Sequence, residues 1–397
     1  MKRINREYKI LLMMTFFRYL GDCLFYGYLF LFLVSRGLTE SSIGTITCIT
    51  PLVAIMINPL WNHFAKNVNV NRIMMMGITI LEGIIIFFYT RCNVFETFLI
   101  CTIILALIAS PFYGLLESYT ETFAKIYQKK YGVIRGFGTF GYVIASLIAA
   151  LLLHLTNDNY EILIYISSIL LITTSIWFYF IRPIDLKMID EKNPTRDYKA
   201  VLKNKGFWIF AITDVLMVGV SYAADRYAST YFTSFQGLSS TSWSFIYAGI
   251  LLTEFMVLII TSRDHKLTPN LAYIVLGLAY LMRSFVFFLN LPLPFLIVCS
   301  LLRGLAYGLY LPASIKAMEQ ICGLKNLTCA CFILVIMSNI VYSIILFVSG
   351  HLIEAIGYPN YYLVIFLICL LGNVLNIIYQ IKIKFKYENI TYEKNGL

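Results

Sequence analysis

Residues 10–34 read ILLMMTFFRYLGDCLFYGYLFLFLV, twenty-five positions whose only charges are Arg18 and Asp22 at the middle. As a helix at ~1.5 Å per residue this run is about 37 Å long, enough to cross a hydrocarbon core of about 30 Å. Within a bilayer the backbone must satisfy its own hydrogen bonds, so a run of this kind is read as a spanning helix. Ionisable groups in its interior are costly and point to function. The basic start, Met1 to Lys9, is followed by a full-length apolar run without a small-residue cleavage site, so we read a first spanning helix rather than a signal peptide.

The same pattern recurs along the chain. Further spans are predicted at 43–65, 72–90, 95–119, 133–155 and 160–181, and then at 207–234, 241–262, 268–289, 293–315, 327–349 and 359–381. Composition agrees: 59% of the 397 residues are hydrophobic and 13% charged, where soluble domains average about 25% charged. The nine cysteines, at 23, 48, 92, 101, 299, 322, 329, 331 and 369, are scattered and lack CxxC spacing. They read as buried apolar residues rather than a disulfide framework or a zinc site. No cofactor is expected.

The longest polar stretch, Arg182 to Lys205, divides the spans six and six. The predicted fold is all-α, twelve transmembrane helices in two six-helix bundles. Residues 1–182 form the first bundle, 183–205 a cytoplasmic linker, and 206–397 the second bundle with a cytoplasmic tail. The net charge of +10 is a topology signal: 24 of the 31 Lys and Arg lie in the tails and in loops on one side, and only Arg36 and Arg91 on the other. Cationic loops stay cytoplasmic, which places both termini inside and excludes a nucleic-acid role. The expectation is a monomeric multi-pass protein of a bacterial cytoplasmic membrane, its partners being the lipid bilayer and a small solute.

Eleven Arg, Asp and Glu residues lie at least two residues inside the spans: Arg18, Arg135, Arg226, Arg283 and Arg303 with Asp22, Glu82, Glu117, Asp214, Asp225 and Glu254. At about 3 kcal/mol each near the bilayer centre, all eleven unpaired would cost roughly 30 kcal/mol. They must pair, line water or lie near an interface. Arg18 and Asp22 are four apart and share a helix face. Arg135 and Tyr142 are seven apart, with Gly136, Gly138 and Gly141 making room for helix packing or a ligand. Asp214, Ser221 and Asp225 fall on one stripe, Asp214 near the helix end and expected to be solvated. Arg303, Tyr307 and Tyr310 share a face. Glu82 has no obvious partner in the sequence; it is a proton-site candidate, with Glu117 and Glu254, or merely faces the cavity.

Several motifs resemble the major facilitator superfamily. Gly37-Leu38-Thr39-Glu40-Ser41-Ser42-Ile43-Gly44 is similar to the start of that fold's second helix, and Pro59-Leu60-Trp61 with Arg72 to its loop 2–3 signature, although Asn62 and Lys66 replace the usual glycine and aspartate. Within the superfamily the chain resembles the oligosaccharide:proton symporters, the lactose permease group. Glu117, and Arg135 in Tyr131-Gly132…Arg135-Gly136-Phe137-Gly138, look like the acid and arginine that bind sugar hydroxyls there. Tyr142 falls where that group has a ring-stacking tryptophan. Glu254, in Tyr247-Ala248-Gly249-Ile250-Leu251-Leu252-Thr253-Glu254, resembles the helix 8 glutamate, and Gly350-His351-Leu352-Ile353-Glu354-Ala355-Ile356-Gly357-Tyr358 the helix 11–12 turn.

The resemblance implies a substrate site of Glu117, Arg135, Tyr142 and Glu254, and a retained pair of Asp225 with Arg303, with Arg283 as the helix 9 arginine. The chemistry is apt for a sugar: carboxylates and a guanidinium bond hydroxyls, and an aromatic face covers a pyranose. The proton-handling positions depart. Tyr307 and Tyr310 stand for the group's histidine and glutamate, and Tyr222 and Ser338 for its aspartate and lysine. The chain therefore reads as a secondary transporter of a small oligosaccharide- or galactoside-like sugar, proton-coupled or uncoupled. The alternative is a carrier for nucleosides or aromatic and organic acids. Neither an enzyme's nucleophile, base and metal motifs nor a channel's repeated filter is visible.

Overall fold

The computed structural model describes residues 2–65, 68–129, 131–181, 184, 197–263 and 268–395, and among them every regular element is helical. The membrane helices are α1 (Arg6–Ser35), α2 (Glu40–Trp61), α3 (Val68–Tyr89), α4 (Phe95–Ile126), α5 (Tyr131–Leu155) and α6 (Tyr160–Phe180). They continue with α7 (Lys205–Phe235), α8 (Ser240–Thr261), α9 (Pro269–Phe288) and α10 (Leu293–Cys322). The final apolar stretch, Leu324–Tyr379, is one helical run with a single non-helical residue, Gly357, at φ 76°. That residue divides it into α11 (324–356) and α12 (358–379). The predicted gap at 350–358 is thus a bend rather than a loop, because one glycine in the left-handed region is enough to turn the chain. Most of the predicted linker, including Arg182, Asp185, Lys187, Asp190, Glu191, Lys192 and Arg196, lies outside the described residues, as does Lys66. Within the linker's described part, Tyr198–Lys203 is a short helix capped by Asp197.

Two close approaches set the packing. A Cβ on Gly141 would come within 2.5 Å of the Phe16 carbonyl oxygen, so α5 and α1 touch backbone to backbone there. A Cβ on Gly304 would come within 2.2 Å of the Ile250 carbonyl oxygen, locking α10 onto α8. Small residues let membrane helices approach in this way. Gly141, and Gly138, where a Cβ would meet the Tyr19 ring at 2.8 Å, thus serve helix packing.

The apolar cores show the state of the bundle. Toward the end that carries the termini, the first six helices and the last six bury separate cores, one around Leu11, Met75 and Phe123, the other around Phe207, Leu276 and Met318. At the opposite end a single core draws on both sets, from Leu24, Phe32 and Ile46 to Tyr227, Trp243 and Tyr361. The molecule is sealed at the end opposite the termini and divided at the end that carries them.

The seal joins residues 313 and 318 positions apart in the chain. Ser41 N–H donates to Glu354 Oε1 at 2.8 Å, and the Tyr358 hydroxyl donates to Glu40 Oε1 at 2.5 Å. At the same end the Tyr160 and Ser240 hydroxyls bond to each other. Ser343 Oγ donates to the Cys48 carbonyl at 2.5 Å, extending the seal down α2 and α11.

Candidate functional site

Three charge clusters lie inside the helices. In the first, α1 supplies Arg18 and Asp22 and α3 supplies Glu82. Arg18 Nε is 3.1 Å from Asp22 Oδ2, and Nη1 is 2.7 Å from Glu82 Oε2, all three side chains being at most 1% exposed. Tyr26 donates to Glu82 Oε1 at 3.0 Å and Tyr113 donates to Asp22. The guanidinium lies 3.8 Å over the Phe112 ring. Glu82 therefore has a cation and is not the unpaired acid expected. Its partner is on another helix, where spacing along one chain segment cannot reveal it.

The second cluster inverts the first. Asp225 of α7 pairs with Arg283 of α9 and, at 3.3 Å, with Arg303 of α10. Arg226, beside it, has no carboxylate partner among the described residues. It donates to the Tyr342 hydroxyl at 2.8 Å, the Tyr222 hydroxyl at 3.4 Å and the Tyr26 carbonyl at 3.5 Å, so it reaches from α7 to α11 and across to α1. Asp225, Arg226, Arg283 and Arg303, with Tyr26 and Tyr222, line a cavity of about 30 Å³, room for about two water molecules and far less than a sugar ring needs.

The third group comprises the predicted substrate residues, none of which lines that cavity. Arg135 of α5 pairs with Glu117 of α4, and their side chains are 23% and 43% exposed, on the divided side of the bundle. Tyr142, two turns further along α5, is partly buried and meets Tyr19 edge-on at 5.6 Å. Glu254 is 7% exposed and held against α10 by the Gly304 contact. It makes no direct ion pair among the described residues, but both Arg303 and Arg135 act on it electrostatically. Glu254 thus stands between the second cluster and the Arg135–Glu117 pair.

Two features escaped the sequence reading. Tyr222 and Tyr307 are stacked at 5.4 Å and 12°, with Tyr342 at 5.3 Å from Tyr222. Positions where the resembled group carries charges are joined here by rings. Asp214, expected to be solvated, is 1% exposed. Tyr273 and Tyr310 donate to it at 2.7 and 3.3 Å, because α9 and α10 cover the start of α7. Among the described residues no three His, Cys, Asp or Glu converge as a metal ion would need.

A bundle sealed at one end and split at the other, with charges at its centre, is the form of an alternating-access carrier. The sequence matches the MFS_1 like family over residues 7–338. The chain belongs to that family. It is a membrane transporter of the major facilitator type. It is 24% identical over 326 residues to the uncharacterized transporter YwbF of Bacillus subtilis (strain 168), covering 80% of this chain and 79% of that one. Among solved structures it is similar to the nucleoside transporter NupG, with TM-score 0.75 and 16% identity over 95% of this chain and 99% of that one. It is also similar to a bacterial homolog of the human lysosomal transporter Spinster in an inward-facing, unoccupied conformation, with TM-score 0.74 and 11% identity over 95% and 96%. At such identities these likenesses show the fold.

Proposed function

We propose that this transporter carries a small polyhydroxylated solute, a sugar of the oligosaccharide or galactoside kind, across the cytoplasmic membrane. Bundles 1–182 and 206–397, joined by the linker 183–205, rock about the central charges. With both termini cytoplasmic, the split side is the cytoplasmic one, and the conformation is inward-facing. The observation that carries the reading is the Arg135–Glu117 pair, partly exposed on the open side, with Tyr142 on the same helix. A forked guanidinium and a carboxylate bond vicinal hydroxyls, and a ring covers the apolar face of a pyranose. Glu254 completes the site when the bundles close over the solute. The Asp225, Arg283 and Arg303 group and the Arg18, Asp22 and Glu82 group hold the helices around it.

A second reading, a nucleoside, has one observation in its favour. The stacked Tyr222 and Tyr307 offer flat faces to a base, and NupG, a nucleoside transporter, shares the fold. Purified protein in liposomes, offered labelled sugars, nucleosides and organic acids with and without a pH gradient, separates the two. Uptake of a sugar competed only by sugars supports the first. Uptake of nucleosides alone replaces it with the second.

A further inference from the structure

Of the six acids that the sequence reading placed inside the spans, four pair with an arginine among the described residues and a fifth lies under the influence of two. Asp22, Glu82, Glu117 and Asp225 pair directly, and Glu254 feels Arg303 and Arg135. Asp214 differs. The groups acting on it are the hydroxyls of Tyr273 from α9 and Tyr310 from α10. Two polar groups that α12 brings to the same stretch are uncharged and occupied elsewhere. Cys369 lies 3.0 Å from Ser221 Oγ, and Asn373 donates to the Gly277 carbonyl at 3.2 Å. Lys316 of α10 belongs instead to the wall of a small pocket with Ala272 and Ala313. That pocket begins one residue from Tyr273 and one turn from Tyr310, on the side of the termini.

Asp214 lies nine residues into α7, about 14 Å from its start at 1.5 Å per residue, and is 1% exposed under the cover of α9 and α10. A lone carboxylate charge at that depth is costly, and binding a proton removes it. The cradle suits both forms. As a carboxylate Asp214 accepts from both tyrosines, and as an acid it accepts from one and donates to the other's oxygen. The backbone beside it is also unusual. Val215–Gly219 is a π-helix, a winding rare in proteins and concentrated at functional sites. It separates Asp214 from Tyr222, Asp225 and Arg226, so rewinding there moves the cavity residues relative to Asp214. A second connection runs through side chains. The Tyr310 ring is 6.2 Å from Tyr307, which stacks on Tyr222, whose hydroxyl bonds Arg226.

We propose that Asp214 is the proton-binding site of the transport cycle. In the conformation described here its carboxyl holds a proton. When α7 rewinds and water reaches it, the proton passes to that water, and a proton from the other side replaces it after the bundle reverses. The inference rests on the transporter reading and not on the choice of sugar.

Infrared spectroscopy of the full chain in nanodiscs tests the protonation without any solute. The wild type should show a carboxylic-acid carbonyl band at neutral pH that disappears in D214N. A band unchanged in folded D214N overturns the proposal. Should D214N fail to fold, Y310F removes one hydrogen bond from the carboxyl, and the band should shift to higher frequency. An unmoved band overturns the proposal. Coupling is read in liposomes with whichever solute the screen identifies. D214N should exchange it down its gradient yet lose the stimulation by an imposed pH gradient. Equal stimulation in D214N, or none in the wild type, overturns the role of Asp214 while leaving solute transport established. Loss of the sugar in favour of another solute alters the functional reading and leaves the infrared result unaffected.

Discussion

The two buried ion clusters are opposites. Around α1 and α3 one cation lies between two carboxylates, Arg18 between Asp22 and Glu82. Around α7, α9 and α10 one carboxylate lies between two cations, Asp225 between Arg283 and Arg303. Each has an odd charge, and each compensates it locally. In the first, tyrosine hydroxyls donate to the surplus carboxylate oxygens. In the second, the surplus guanidinium lies on rings, Arg283 at 4.8 Å from Phe287 and Arg303 at 5.9 Å from both Tyr247 and Tyr307. The difference teaches that tyrosine hydroxyls accompany the surplus of anions here, while ring faces lie against the arginines of both clusters. It also identifies the member of each triad on which the other two depend.

The comparison predicts the largest losses at the two central residues. Asp225→Ala leaves two buried arginines unpaired and should cost about 3–5 kcal/mol, read as a lower unfolding temperature in nanodiscs. Neutralising Arg303 as well should recover little, because Arg283 remains, whereas neutralising both should recover most of the loss. Arg18→Gln, the mirror change, should cost as much. A D225A protein as stable as the wild type would remove the symmetry altogether.

Next in size is the Arg135–Glu117 pair, which differs from both triads in being partly exposed. Arg135→Lys keeps the charge and loses the fork, so stability should hold while uptake falls about tenfold, a loss of ~1.4 kcal/mol in binding. Unchanged uptake in this variant would place the solute elsewhere.

A smaller effect is expected at an outer member of a triad. Glu82→Gln leaves Arg18 paired one to one with Asp22, and Tyr26 can still donate to the amide oxygen. The cost should be about 1 kcal/mol, that of one weakened hydrogen bond. A loss as large as that of Arg18→Gln would mean that the cluster acts as a unit.

The smallest change belongs to the ring on α5. Tyr142→Ala should weaken solute affinity by about 0.5–1.5 kcal/mol and Tyr142→Phe by almost nothing, because stacking uses the ring face. Equal losses in the two would assign the effect to the hydroxyl and count against the sugar reading.

The separate legibility of the two triads follows from their geometry. Arg18 and Asp22 are four apart on one helix, so that half of the first triad could be read from spacing. Glu82 joins it from α3, and nothing in the sequence near Glu82 says so. Asp225, Arg283 and Arg303 come from three helices, and only the family resemblance suggested a link among them. Asp214 was misread for a related reason. Distance from the end of a span indicates depth, but cover by α9 and α10 decides exposure. The Asp225-Arg226 doublet within an apolar span was a visible signal for Arg226, yet its tyrosine partners come from α1, α7 and α11.

The sequence by itself determined that the chain crosses the membrane, how often, which loops share a side, and which spans carry the costly charges. These follow from apolar length and from the distribution of lysine and arginine, properties of each segment alone. Only the tertiary structure decided which charges meet, that Asp214 is held by tyrosines rather than a cation among the described residues, and that Glu40 and Ser41 close against Tyr358 and Glu354. The physical reason is that a side chain's partner and its burial are set by the helices packed around it. Their rotations and close approaches depend on contacts between residues hundreds of positions apart.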